Sequence, residues 1–211
     1  MTSSSSKPVR EGSAQKREQI LAAARELFLA DGFERTSMDA IAARAEVSKR
    51  TVYDYYGDKR ALLLEVVRHA VSALGAAVDA AIDANLAEVD DLEVALVEFA
   101  RAITSSAMGS ADYSALMRLL TKESAHLPEL QGEHWGGIEP EEAVADKFAE
   151  LDRRGLLLAP DPRLAADHFV ALTLSPSYYS IGRQSVATEV DSSRAIADGV
   201  RAFLRAYSGE R

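Results

Sequence analysis

The chain has 211 residues, 47% apolar and 27% charged, with a formal net charge of −9; these are the proportions of a soluble globular protein of one large or two small domains. It contains no cysteine, which excludes a disulfide framework and a thiolate metal site and fits a reducing, cytoplasmic setting. The opening MTSSSSKPVREGS is polar, so no secretory signal is expected, and no apolar run reads as long enough to cross a bilayer.

Helical periodicity runs along nearly the whole chain without an alternating strand, so the predicted class is all-α. Residues 1–12, Ser-rich with Lys7 and Arg10, read as a disordered arm. A first helix over about 14–30 places Ile20, Leu21, Ala24, Leu27 and Phe28 at helical spacing and stops at Gly32. Two short helical patterns follow within 36–59, joined by a tight turn. Asp58 then caps a long helix to about residue 84, with Leu62, Leu63, Val66, Val67, Ala70 and Leu74 inward. Further helices are predicted near 92–106, using Val94, Leu96, Val97 and Ile103, and near 113–124 before Pro128. After a loop at 132–140, Pro140 opens a helix bearing Val144, Phe148 and Leu151. Asp161–Pro162 opens the next, which Pro176 must kink or break. Asp191 caps the last. The expected division is an arm at 1–12, a helix-turn-helix domain at 13–60 and a larger helical domain at 61–211.

Charge is unevenly spread between these parts. Residues 1–60 hold 11 Lys+Arg against 9 Asp+Glu, which leaves 13 against 24 for the rest. Phosphate binding follows local positive charge, so only the first part suits a polyanion.

That part contains TSMDAIAARAEVSKRTVYDYYGDK, residues 36–59. Ser48 can cap a helix, and advancing about 100° per residue puts Val52 and Tyr56 on its inner side with Ile41 and Val47. Arg50, Thr51 and Asp54 then face outward, flanked by Lys49 and Tyr53 on one side and Tyr55 on the other. A groove-reading helix needs this division: the outward centre meets base edges and the flanks meet phosphate walls. Arg50 suits guanine O6 and N7, and Thr51 a thymine methyl or base edge. Asp54 either accepts from cytosine N4 or pairs with Arg50 four residues earlier. Thr36 and Asp39 have capping-box spacing; Thr36, Ser37 and Lys59 are candidate phosphate contacts.

Residues 15–65 resemble the N-terminal domain of the tetracycline-repressor family of bacterial transcription regulators. The likeness rests on TSMDAIA at 36–42, VSKRTVYDYY at 47–56 and Asp58–Lys59. Two positions depart from the family pattern. Glu46 stands where many members have Gly in the turn, which strains the backbone if its φ is positive. Arg50 stands where Gly is common, which adds a base-reading side chain. The resemblance implies a C-terminal helical domain that encloses an inducer pocket and dimerises through its last two long helices. Leu172, Ile196, Val200, Phe203, Leu204 and Tyr207 are the interface residues expected on that basis. Fragments 113–130 and 156–183 are similar to the C-terminal domain of AefR-like regulators.

In that region Phe99, Tyr113, Met117, Trp135, Phe148, Phe169, Tyr178 and Tyr179 stand as core residues or pocket lining, with Trp135, in its Gly-rich loop, a candidate lid. The histidines at 69, 126, 134 and 168 show no metal-ligand spacing. No phosphate loop or nucleophile elbow is present, so no enzyme, metal or cofactor is expected. The expected function is a homodimeric repressor on a palindromic double-stranded operator, released by a small-molecule inducer, without a membrane partner. The alternative is a small-molecule or protein-binding helical dimer with vestigial DNA contact.

Overall fold

The computed structural model describes residues 8–106, 111–123, 140–174 and 189–208, and every regular element among them is helical. In chain order these are α1 (Pro8–Asp31), α2 (Met38–Arg44), α3 (Lys49–Tyr56), α4 (Lys59–Asn85), α5 (Leu92–Ser105), α6 (Ala111–Glu123), α7 (Pro140–Arg153), α8 (Pro162–Thr173) and α9 (Glu189–Tyr207). Helix α1 begins six residues before the expected start and takes in five residues assigned to the arm. Pro8 suits its first position, where the missing N–H has no helical partner to lose. The helix stops at Gly32, whose φ of 86° continues no α-helix.

Side-chain caps mark most of the other starts. Asp58 Oδ1 accepts from Ala61 N at 2.8 Å ahead of α4, Asp91 from Val94 N at 3.1 Å ahead of α5, and Asp161 from Leu164 N at 3.0 Å ahead of α8. Helix α9 begins two residues before Asp191, which therefore lies in its first turn and is not its cap. The α8 helix ends at Thr173, and Pro176 lies outside the described residues.

Two compact units emerge. One holds α1–α3, α4 as far as His69 and α6 from Ala115; the other holds the rest of α4, α5, the first residues of α6 and α7–α9. The division falls inside α4 ten residues beyond Lys59, where sequence placed it at 60. The first unit closes on Ile20, Phe28, Ile41, Val52, Leu62 and Leu63, all fully buried. In the second, the rings of Phe148, Phe169 and Phe203 meet at centroid distances of 5.3–5.5 Å, and Phe99 lies 5.7 Å from Phe169. Each such burial contributes about 2–3 kcal/mol, with a further edge-to-face gain where rings meet at right angles.

Two expectations change here. Helix α4 has an 18-residue window of mean hydropathy 1.6, long and apolar enough to cross a membrane by those measures alone. Of its apolar residues Leu62, Leu63, Val66, Val67, Leu74 and Val78 are buried inside the protein. Val94, expected on the inner stripe of α5, is 57% exposed, and Leu96, Phe99, Ala100 and Ile103 form that stripe instead.

Candidate nucleic-acid interface

Three local devices set the α2–α3 geometry. Ser37 caps α2, its Oγ accepting from Ala40 N at 3.1 Å. The turn is a Schellman motif: Glu46 N donates to Ala43 O at 3.2 Å and Val47 N to Ala42 O at 3.0 Å, with Glu46 at φ 55°. Glu46 alone among the described non-glycine residues has a positive φ, so the strain conditional on that geometry is present. Ser48 caps α3, accepting from Thr51 N at 3.0 Å and sharing a 2.7 Å hydrogen bond with the Thr51 hydroxyl.

Val52 is fully buried beneath α3. The Arg50 side chain is 90% exposed, and its Nε lies 3.6 Å from Asp54 Oδ2, so the carboxylate orients the guanidinium from one turn further on. Lys49 bonds Asp39 of α2 at 2.7 Å, and this bond holds its pKa above the usual lysine value. Tyr53 is exposed beside it, with the ammonium 6.0 Å from the ring centroid. Arg50, Tyr53, Asp54 and Lys49 thus share one accessible face, with Thr51 half-buried at its edge.

Three candidates sit differently. Thr36 is 3% exposed, and its Oγ1 lies 2.8 Å from Gly32 O and 3.2 Å from Leu27 O. Its hydroxyl points into the unit, away from any phosphate, and Ser37 takes the capping role expected of it. Lys59 Nζ donates to the carbonyls of Phe33 (2.8 Å), Thr36 (3.0 Å) and Glu34 (3.3 Å) and lies 4.4 Å from the Phe33 ring centroid. Its ammonium has three hydrogens and three carbonyls, so it locks the α1–α2 loop to the start of α4 and is not a free phosphate ligand. Tyr55 turns toward α1: its hydroxyl bonds Ser13 Oγ at 3.0 Å and its ring faces the Arg17 guanidinium at 5.2 Å. Tyr56, half-buried, donates to Arg17 O at 3.1 Å, and burial raises the pKa of its phenol. Ser13 and Arg17 carried no sequence signal as site residues, because their spacing on one helix says nothing about which element they meet.

Residues 20–66 match the model for bacterial regulatory proteins of the tetR family. Residues 94–209, more than half the chain, match the C-terminal domain of AefR-like transcriptional repressors. The chain belongs to the tetR family. Within this family, YdeS of Bacillus subtilis, an uncharacterized transcriptional regulator, is 44% identical over 46 residues, 22% of this chain and 23% of its own. The transcriptional activator FasR of Mycolicibacterium smegmatis is 40% identical over 60 residues, 28% of this chain and 27% of its own. The matches thus span about a quarter of these curated relatives. A tetR-family regulator from Mesorhizobium loti MAFF303099 superposes with a TM-score of 0.84 at 28% identity, over 93% of this chain and 98% of that one. The flavonoid-responsive regulator FrrA gives 0.70 at 28% identity, over 94% and 100%. This tetR-family chain is therefore a DNA-binding transcription regulator with an N-terminal helix-turn-helix domain and a C-terminal helical domain.

The second unit of the regulator holds a small cavity of about 70 Å³. Leu74 and Val78 of α4, Phe99 and Ile103 of α5, Val144 of α7 and Phe169 of α8 form its apolar walls, and Glu141 is the ionisable residue at its edge. Phe99 and Phe169 are thus pocket lining, whereas Phe148 is core, packed on Phe169 and Phe203. The side chains of Tyr113 and Met117, and all of Trp135, Tyr178 and Tyr179, lie outside the described residues. The expected interface residues divide as well. Ile196, Val200 and Phe203 face inward to their own unit's core, because the apolar stripe of α9 is used within the chain. Leu204 and Tyr207 are partly buried against that core, and Leu172, 37% exposed, faces outward on α8 with Leu164.

Proposed function

We propose that this regulator is a ligand-released repressor that binds a two-fold symmetric operator as a homodimer. One observation carries the reading: Arg50, its side chain 90% exposed, is oriented by Asp54 on a Ser48-capped helix, an arrangement that suits bidentate guanine recognition. Two such helices, about 34–36 Å apart, would enter successive major grooves. The likeness of residues 94–209 to AefR-like repressors favours repression. Exposed Leu164 and Leu172 support α8 as part of the dimer contact, replacing Ile196, Val200 and Phe203.

The apolar cavity supports a small aromatic or aliphatic inducer, in keeping with the flavonoid response of FrrA. As it stands it is smaller than the roughly 300 Å³ of ordinary ligand sites, so binding requires it to widen. Because α4 contributes Leu74 and Val78 to the cavity and Leu62 and Leu63 to the DNA-reading unit, widening would bias the DNA-bound arrangement. The inducer must prefer the arrangement that DNA disfavours. Selection of random duplex DNA by the purified chain tests the reading. A two-fold symmetric consensus is expected; unenriched DNA after repeated rounds would leave the vestigial-contact alternative standing.

A further inference from the structure

Positive charge in the DNA-reading unit is unevenly neutralised. Lys49 is bonded to Asp39, Arg50 is close to Asp54, Arg44 pairs with Glu26 at 2.6 Å and Arg68 pairs with Glu65. The ammonium of Lys59 is committed to backbone carbonyls. Lys16, Arg17 and Arg35 differ: all three are exposed, and among the described residues none has a carboxylate at ion-pair distance, Arg35 donating instead to the Asp31 carbonyl. Two of these cations lie on α1, and Arg17 lies beside the end of the recognition helix.

Arg17 is also held in place. Its guanidinium lies 5.2 Å from the centroid of the Tyr55 ring, and the hydroxyl of that tyrosine is anchored by Ser13, one turn earlier on α1. Tyr56 donates to the carbonyl of Arg17 itself at 3.1 Å. The last two residues of α3 therefore grip one turn of α1 from two sides. A guanidinium facing an aromatic ring keeps its N–H groups for an oxyanion, and its confinement reduces the rotamer freedom left to lose on binding. At the neighbouring Tyr56 phenol Glu65 and Arg17 act in opposite senses, with Glu18 on the side of Glu65, and the Tyr55 ring lies before the Arg17 guanidinium.

We propose that Arg17 is a DNA-phosphate contact, carried by α1 and positioned by Tyr55, which extends the footprint beyond the helix-turn-helix to the backbone flanking the major groove. The inference rests on the DNA-reading function of α3. Because Arg17 belongs to another element than Arg50 and meets phosphate, its contribution is independent of sequence and adds to the salt dependence.

The test measures affinity by fluorescence anisotropy across about 50–200 mM KCl, with a duplex recovered by in vitro selection and a duplex of scrambled sequence. Arg17→Ala is expected to weaken both duplexes by a similar factor, about three- to tenfold, and to lower the slope of log K against log[KCl] by about one. Arg17→Lys keeps the slope. Tyr55→Leu, which removes the ring but no charge, weakens binding and leaves the slope unchanged. If Arg17→Ala retains the wild-type slope, the proposal is overturned, and a loss of affinity without a change in slope assigns Arg17 to α1–α3 packing alone. Arg50→Ala separates the two failures. Should it bind every sequence as the wild type does, the base-reading role of α3 fails; should it lose base preference while Arg17→Ala changes nothing, only the α1 contact fails.

Discussion

Lys59 and Glu46 show what single positions contribute to the reading unit. Lys59 reads as a phosphate candidate from its place at the start of the long helix; local pattern does not reveal the three backbone carbonyls 23–26 residues earlier that its ammonium meets. Its removal should act first on the fold. Lys59→Met is expected to cost about 1–3 kcal/mol in urea denaturation, since it leaves polar carbonyls without their charged donor; an unchanged midpoint would show the loop is held by other means. Glu46 is the opposite case: the family resemblance marks it, because many members have Gly at this turn position, and its φ of 55° meets the condition for strain. Glu46→Gly removes a left-handed cost of about 1–2 kcal/mol and adds roughly 0.5–1 kcal/mol of unfolded-chain entropy. A rise of one to a few degrees in melting temperature is therefore expected, by differential scanning calorimetry, and a fall would mean that the Glu46 side chain stabilises the turn.

At the level of whole helices, periodicity located nearly every one, because each has a single apolar face and most have an Asp or Ser cap. What that face packs against is a separate question. The stripe Ile196, Val200, Phe203 of α9 could as well have met a second copy as its own core, and only the Phe148 and Phe169 rings decide for the core. Phe203→Glu should accordingly unfold the second unit, whereas Leu172→Glu should leave it folded and yield monomers by sedimentation; a folded Phe203→Glu monomer would reverse that assignment. Packing of α9 on α8 also depends on Gly199. A Cβ there would fall well inside contact distance of the Leu172 carbonyl, and neighbouring backbone would have to move. Gly199→Ala should thus cost about 1–3 kcal/mol despite the better helix propensity of alanine. Calorimetry would show it, and a neutral result would mean the two helices separate freely.

Across the molecule, charge and chemistry are partitioned. The first 60 residues carry a small positive excess and the remainder a large negative one, so attraction to DNA is confined to one end of the chain. The two-part, all-helical plan was legible because the helix-turn-helix string is nearly complete in residues 36–59. The cavity was less so: its walls come from four helices between Leu74 and Leu174, and of the aromatic candidates with described side chains Phe99 and Phe169 line it while Phe148 does not. The measurement that bears most directly on the function is selection from random duplex DNA by the wild type and by Arg50→Ala in parallel. If α3 reads bases as its geometry supports, the variant loses preference at one G·C pair in each half-site, about 1–3 kcal/mol of discrimination, and keeps the rest of the consensus. An identical consensus from both proteins would contradict it.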